Sequence, residues 1–461
     1  MNPKLFGPLS FYKHALGIAL PVMAQVMIQS LVSLIDNFMV AGLGDVAMAA
    51  VNVTNQLNFV YIVIENAMCA AGGIYIAQYC GAKNNEGMQN AYRFKVIFGS
   101  IVGLVYFALC WLIPDKMIEI MTMGNAAQDE IVEKAVPYMR ICSFTLVPMV
   151  LSNAIGGSYR EMGRPKIPLV ISVCSTVVNT IGNIFLIYGV LGAPRLEVTG
   201  AAISTVIARF VEIGSFIVYA RHTKAEFYVP FLKIFHRPKG FFRRIFANSV
   251  MMMMSELSWV VSETVMTALY NGRGGAETVA GMAAGFSIAN IFFMVFGGVW
   301  TASAVVIGGS LGAGKLDEAR KRSDWLHGGS IILGLVIALG GALLSLVIIP
   351  IVFANLSDDA RQICFGLVMV ILAYLPFQTL LNVLFAVTRA GGDTATGMYA
   401  DVSVNTLIFI PGAFLLAFLT PLGPVEMYII LKLADIGKFF IAKHFMNKER
   451  WVKNLTLPSN S

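Results

Sequence analysis

Charge is scarce in this chain. Asp, Glu, Lys and Arg together make up 13% of its 461 residues, where a soluble domain uses roughly a quarter. Half that share cannot coat a water-facing surface, so an ordinary soluble fold is excluded. Paired cysteines are missing as well. The six present (Cys69, Cys80, Cys110, Cys142, Cys174, Cys364) lie singly in apolar runs without CxxC spacing, and read as small core residues rather than disulfide or metal positions. No Walker loop, zinc cluster or nucleophile with its base occurs, which argues against an ATPase and against an enzyme. No cofactor is expected, and energy for any pumping must come from an ion gradient.

Long apolar runs fill the space that charge leaves. The chain is 57% hydrophobic with a mean hydropathy of +0.74. Windows long enough to span a bilayer (about 20 residues) recur, centred near residues 28, 65, 104, 147, 179, 209, 259, 294, 340, 376, 408 and 433. The last is interrupted by Lys432, Asp435 and Lys438, which are spaced to pair with one another on one helix. The first apolar run is about twice the length of a signal-peptide core and is expected to remain as a helix. The prediction is an all-α integral membrane protein with twelve transmembrane helices, solvated by the lipid bilayer.

The net charge of +7 is unevenly placed. Lys and Arg gather at the N-terminus, in "GAKNNEGMQNAYRFK", "REMGRPK", "ARHTKAEFYVPFLKIFHRPKGFFRR" and "KLDEARKR", and after Lys443. The alternate connections, such as "VAGLGDVAMAAV" and "VLGAPRLEV", hold only isolated basic residues. The positive-inside rule then puts both termini in the cytoplasm of a multi-pass protein of the inner (plasma) membrane. Basic residues strung between helices make no nucleic-acid surface.

The chain also repeats itself. "DNFMVA" (Asp36–Ala41) matches "ETVMTA" (Glu263–Ala268), and "IAQYCGAKN" sits opposite "IGGSLGAGK". "REMGRP" answers "RAGGDT", and "VNT" at Val178 answers "VNT" at Val404, all in one order at an offset of about 230 residues. The expected division is a six-helix bundle over residues 1–222, a cytoplasmic linker over 223–245 and a second six-helix bundle over 246–461. An even helix count per repeat makes the halves enter the membrane from the same side, so a pseudo-two-fold axis lies along the membrane normal. Transporters place their substrates between such bundles.

Carboxylates at bilayer depth are functional hypotheses because lipid offers them no partner. Asp36, Glu65, Glu256 and Glu263 lie well inside apolar windows. Gln29 and Asp36 are two helical turns apart and share a face, as do Glu256 and Glu263. The repeat sets Gln29 opposite Glu256 and Asp36 opposite Glu263. In the fifth window Asn179 and Asn183 are one turn apart, and Thr205 in the sixth adds a further oxygen. Asp36, Asn179 and Asn183, supported by Thr205, suit either a shared proton or a Na⁺ held by oxygens; simple helix–helix hydrogen bonding is the alternative for the asparagines.

These residues resemble a known family, the multidrug and toxic compound extrusion (MATE) transporters. The resemblance is carried by "IDNFMVAGLG", "AQYCGAKN", "REMGRPKIP", "VNTIGNIFLIYGVLGAPRLEVTGAAISTVIAR", "SELSW", "GGSLGAGK" and "TRAGGDT", and covers essentially the whole chain. It implies a V-shaped, two-bundle antiporter that acts as a monomer and exports small organic cations in exchange for Na⁺ or H⁺. The family's first-span acid falls on Asp36 and its seventh-span acid on Glu256. Asn183 stands where the branch named for norfloxacin resistance has Asn, and where the branch named for the DNA-damage-inducible member has Asp. That norfloxacin-type branch often has an acid in span ten. Here Gln378 takes the position, with Asn382 one turn on, and Glu263 would then supply the charge. The implied second ion or substrate site comprises Glu256, Glu263, Gln29, Glu65, Gln378 and Asn382. Two rivals stand beside this reading, the first from the same superfamily and the second of a different class. A lipid-linked oligosaccharide flippase would need cations for an anionic cargo, and the spans offer chiefly Arg209 and the last-helix lysines. A cation channel would need a continuous polar lane, which isolated acids do not make.

Overall fold

The computed structural model describes residues 5–41, 43–123, 127–192, 194–235, 240–354 and 356–457. Among them every regular element is helical. The first eight helices are α1 (Leu9–Ala41), α2 (Asp45–Gly81), α3 (Asn85–Leu112), α4 (Pro114–Met121), α5 (Gln128–Ser143), α6 (Leu146–Glu161), α7 (Lys166–Tyr188) and α8 (Glu197–His222). The remainder are α9 (Phe241–Arg273), α10 (Ala276–Phe292), α11 (Met294–Ser303), α12 (Gly309–Gly312), α13 (Leu316–Val352), α14 (Asp358–Ala390), α15 (Ala395–Val404), α16 (Ile410–Leu419), α17 (Pro424–Lys432) and α18 (Ala434–Asn447). Wide π-helical turns, Ala304–Gly308 and Asn405–Phe409, join α11 to α12 and α15 to α16.

Among the described residues ten helices are long and apolar enough to cross a membrane, or eleven if α5 and α6, bent by 45°, form one broken span. Each of the twelve apolar windows falls on helix. The twelfth is the exception in form: it breaks at Leu433 into α17 and α18, each too short to be counted. The physical reason lies in its polar residues, which turn toward other helices. The face of α13 explains why lipid is the solvent. Leu335, Val336, Leu339, Leu343 and Val347 recur at helical spacing and all are exposed. Such an apolar stripe is tolerated in hydrocarbon and is an aggregation hazard in water.

The chain forms two compact units. One comprises Ala24–Ile76 and Asn84–Ser249. Here α7 lies along α8, and α3 along α6. Tyr61 stacks on Tyr106 at 5.2 Å beside buried Leu146 and Val150. The basic stretch expected as a linker is partly packed: Phe227, Val229 and Ile234 are buried, with Phe227 against Tyr92 and Tyr159. Residues 236–239 of that stretch lie outside the described residues.

The other unit comprises Met1–Met23, Ala77–Lys83 and Val250–Ser461. Its core gathers Val295, Leu311, Cys364, Val368, Leu375 and Val387 where α11, α13 and α14 meet. The tail folds back onto helix ends. The Gln78 side-chain amide donates to the Ala390 carbonyl at 2.8 Å and accepts from the Leu455 amide at 2.7 Å. A Cβ on Gly312 would stand 1.8 Å from the Gln78 carbonyl, so only glycine permits this approach.

Candidate functional site

Asp36 sits in the last turns of α1, where an apolar helix gives a carboxylate no partner of its own. The partner comes from α7. Asn183 Nδ2 donates to Asp36 Oδ1 at 2.8 Å and lies 3.5 Å from Asn179 Oδ1. Asn179 Nδ2 in turn donates to Thr205 Oγ1 on α8 at 3.3 Å, and Thr205 donates to the Ala201 carbonyl. Ser204 Oγ donates to the Asn179 carbonyl at 2.7 Å, which fixes α8 against α7. The four residues read from sequence as one ion-coupling group are therefore linked by hydrogen bonds. Asn183 is 2% exposed, and its Oδ1 has no hydrogen-bond partner among the described residues. Among the described residues no cationic side chain pairs with Asp36. The cluster is thus a carboxylate beside an unsatisfied buried acceptor, an arrangement that favours a proton or a small cation.

Gln29 is exposed and joins none of these bonds. One turn earlier, Gln25 is the buried polar group: it donates to Ser172 Oγ at 2.9 Å, which donates to Glu212 at 3.1 Å. Glu212 pairs with Arg209 at 2.8 Å. Glu65 belongs to a separate cluster. It is fully buried and accepts from Asn153 Nδ2 at 2.7 Å and Cys69 Sγ at 2.9 Å. Beside it, fully buried Lys95 holds Glu161 at 2.5 Å.

The acids of the second half carry their own cations. Glu256 on α9 pairs with Arg389 on α14 at 3.2 Å. Arg389 also donates to Ser255 Oγ, which bonds to Asp401 on α15, and its guanidinium lies 4.2 Å from the centre of the Trp300 ring. Trp300 donates to Asn382, which donates to the Gln378 carbonyl; Gln378 donates to Asp435 at 2.7 Å. Lys438 closes the chain between Asp435 (3.2 Å) and Asp401 (3.5 Å). Glu256, Gln378 and Asn382 therefore share one polar network. Glu263 stands apart, paired with Lys432 at 2.8 Å.

One expectation holds in part: Asp435 and Lys438 pair one turn apart on α18 at 3.2 Å, but Lys432 crosses to Glu263 on α9. Arg389 of "TRAGGDT" is 5% exposed and turned into the bundle, a place the sequence reading did not assign it. Reading for acids in apolar windows passed over Asp401, and took Asp435 only as a partner for the lysines of its own helix. The repeat itself carried a signal for Arg389, which stands opposite Arg160 in the first half.

This is the fold of a polytopic helical transporter with a polar cluster in each half. A crystal structure of MATE in the straight conformation is similar to it with a TM-score of 0.81 at 19% identity, covering 97% of each chain. The family model MatE matches residues 21–185 and again 251–415, two stretches offset by the repeat distance. The chain belongs to the MATE family. Similar relatives are an uncharacterized transporter, YisQ, of Bacillus subtilis (23% identical over 95% of this chain and 91% of the relative) and a probable multidrug resistance protein, NorM, of Neisseria meningitidis serogroup B (25% identical over 74% and 73%). Relatives named NorM agree with the norfloxacin-type branch.

Proposed function

We propose that this chain is a secondary active exporter of cationic, amphipathic organic compounds, driven by inward movement of Na⁺ or H⁺ at Asp36. It spans the membrane twelve times in two six-helix repeats, residues 1–222 and 246–461 joined by 223–245, with α17 and α18 making the last span. The observation that carries the reading is the contrast at Asp36: a carboxylate that accepts from the Asn183 amide, beside an Asn183 Oδ1 without a partner among the described residues, and with no cationic side chain paired to it among those residues. Binding a cation or proton there removes much of the cost of enclosing the charge. Asn179, Asn183 and Thr205 hold that cation or proton. Only such differential stabilisation of two states couples ion to substrate.

Dye efflux from proteoliposomes with Na⁺ and pH gradients imposed separately tests this. One of the two gradients should drive accumulation of a cationic dye against its own gradient. Equal efflux with neither gradient would sink the antiport reading. The lipid-linked oligosaccharide flippase is disfavoured because the cations it was judged by, Arg209, Lys432 and Lys438, each already hold a carboxylate.

Orientation is tested by thiol labelling in a background without native cysteines. A cysteine at Gly44 should react with an impermeant reagent from outside and one at Lys239, outside the described residues, should not. Matching reactivity at the two positions would overturn the orientation, and with it the direction of export.

A further inference from the structure

The second half of the chain answers each membrane-depth acid with a cation, and one of these answers occupies a telling place. Repeat alignment sets Glu263 opposite Asp36. Where Asp36 accepts from the Asn183 amide and pairs with no cationic side chain among the described residues, Glu263 Oε1 lies 2.8 Å from Lys432 Nζ. Both partners are largely buried, Lys432 at 11% exposure and Glu263 at 24%. The ammonium is held as well as paired. It lies 5.2 Å from the centre of the Tyr428 ring and 5.7 Å from that of Phe409, within the range of cation–π attraction. The helix break at Leu433 ends α17 at Lys432, and the Tyr374 hydroxyl donates to the Lys432 carbonyl at 3.0 Å. A buried charge pair with this many fixed neighbours exchanges slowly with ions from water, because breaking it leaves two uncompensated charges.

We infer that Lys432 is a tethered cation: its ammonium permanently fills, at Glu263, the place that an exchangeable Na⁺ or H⁺ takes at Asp36 in the first half. The two repeats are then chemically asymmetric by design of one side chain. The first half exchanges its cation each cycle and the second half carries its own. This rests on the coupling role proposed for Asp36 and goes beyond it, since it assigns Lys432 the role of excluding a second coupling ion. The titratable groups facing Lys432 besides Glu263 are Tyr428 and Asp435 from α17 and α18, Tyr270 from α9 and Tyr374 from α14. Asp435 is already held by Lys438 and Gln378, so it does not need Lys432.

The test removes the tether. The full chain is purified into lipid nanodiscs, and bound Na⁺ is counted by calorimetry against choline. Protonated carboxyls are counted by infrared difference spectroscopy. Lys432→Met should gain one monovalent cation per chain over wild type, seen either as one added Na⁺ or as one added carboxyl C=O band. Lys432→Met with Glu263→Gln should lose that gain. The charge swap Glu263→Lys with Lys432→Glu keeps the pair and should keep the wild-type count and transport. This swap decides the matter if Lys432→Met fails to fold. No gain in folded Lys432→Met, a gain that survives Glu263→Gln, or an added cation in the folded swap would each overturn the proposal. Asp36→Asn should subtract one cation from wild type and from Lys432→Met alike. If it subtracts none, the coupling role of Asp36 fails, while the gain on removing Lys432 still stands or falls by itself.

Discussion

Asp36→Asn should leave the protein folded and inserted but reduce gradient-driven export by at least about tenfold, the rate equivalent of some 1.4 kcal/mol of lost coupling. The substitution is close to isosteric, and its amide oxygen still accepts the 2.8 Å bond from Asn183 Nδ2, so α1 and α7 stay joined. What it removes is the difference between charged and neutral states. A ligand shifts a conformational equilibrium only by its differential affinity for the two states, and a permanently neutral side chain has none to offer the cation. Binding of a cationic dye should survive, measured by fluorescence on purified protein, while accumulation in proteoliposomes is lost. Asp36→Glu keeps the charge and should retain partial export, its extra methylene displacing the carboxylate from Asn183. Wild-type pumping by Asp36→Asn would make Asp36 structural and send the search for the coupling site to Glu65 or Glu256.

The Asp36 cluster was legible because its parts obey local rules. Asn179 and Asn183 are one turn apart on one helix, and an acid in an otherwise apolar run demands a partner whatever the fold. The partners of the second-half acids were not legible, because they depend on how separate helices meet. Glu256 and Arg389 are 133 positions apart, and Glu263 and Lys432 are 169 apart. Nothing in spacing or hydropathy joins them. The same gap affects function. Read as free charges, Glu256 and Glu263 would simply attract cationic drugs. Read as halves of ion pairs, each one changed to Gln leaves a buried Arg or Lys behind, and the damage extends to the folding of the unit. The helix count shows the limit from the other side: each of the twelve apolar windows falls on helix, but only the packing reveals that the twelfth breaks at Leu433 and that Lys432 reaches α9.

The second large effect is expected at Lys95, which the sequence reading counted only among the basic residues of a connection between spans. Its side chain has no exposure, and its ammonium lies 2.5 Å from Glu161 Oε2, a carboxylate only 15% exposed. The helices are shaped around this pair: a Cβ on Gly73 would stand 1.9 Å from Glu161 Oε1, so a larger residue there would push the carboxylate from its place. Lys95→Met keeps most of the side chain's volume but strands Glu161 without its cation. Breaking a buried pair from one side typically costs about 3–5 kcal/mol, most of it the penalty of the charge left behind. That is a large share of the roughly 5–15 kcal/mol by which folded proteins are stable. Lys95→Met should therefore lower the melting temperature of the detergent-solubilised protein by many degrees. Adding Glu161→Leu removes the stranded charge, and should recover most of the loss, because replacing both partners by apolar groups is often near neutral. The Glu65 cluster and the Arg209–Glu212 pair keep their own hydrogen bonds in that double variant. A single variant that melts with wild type would mean that Glu161 is satisfied elsewhere. A double variant no better than the single would mean that Lys95 acts by its shape, through packing against α2, rather than by its charge.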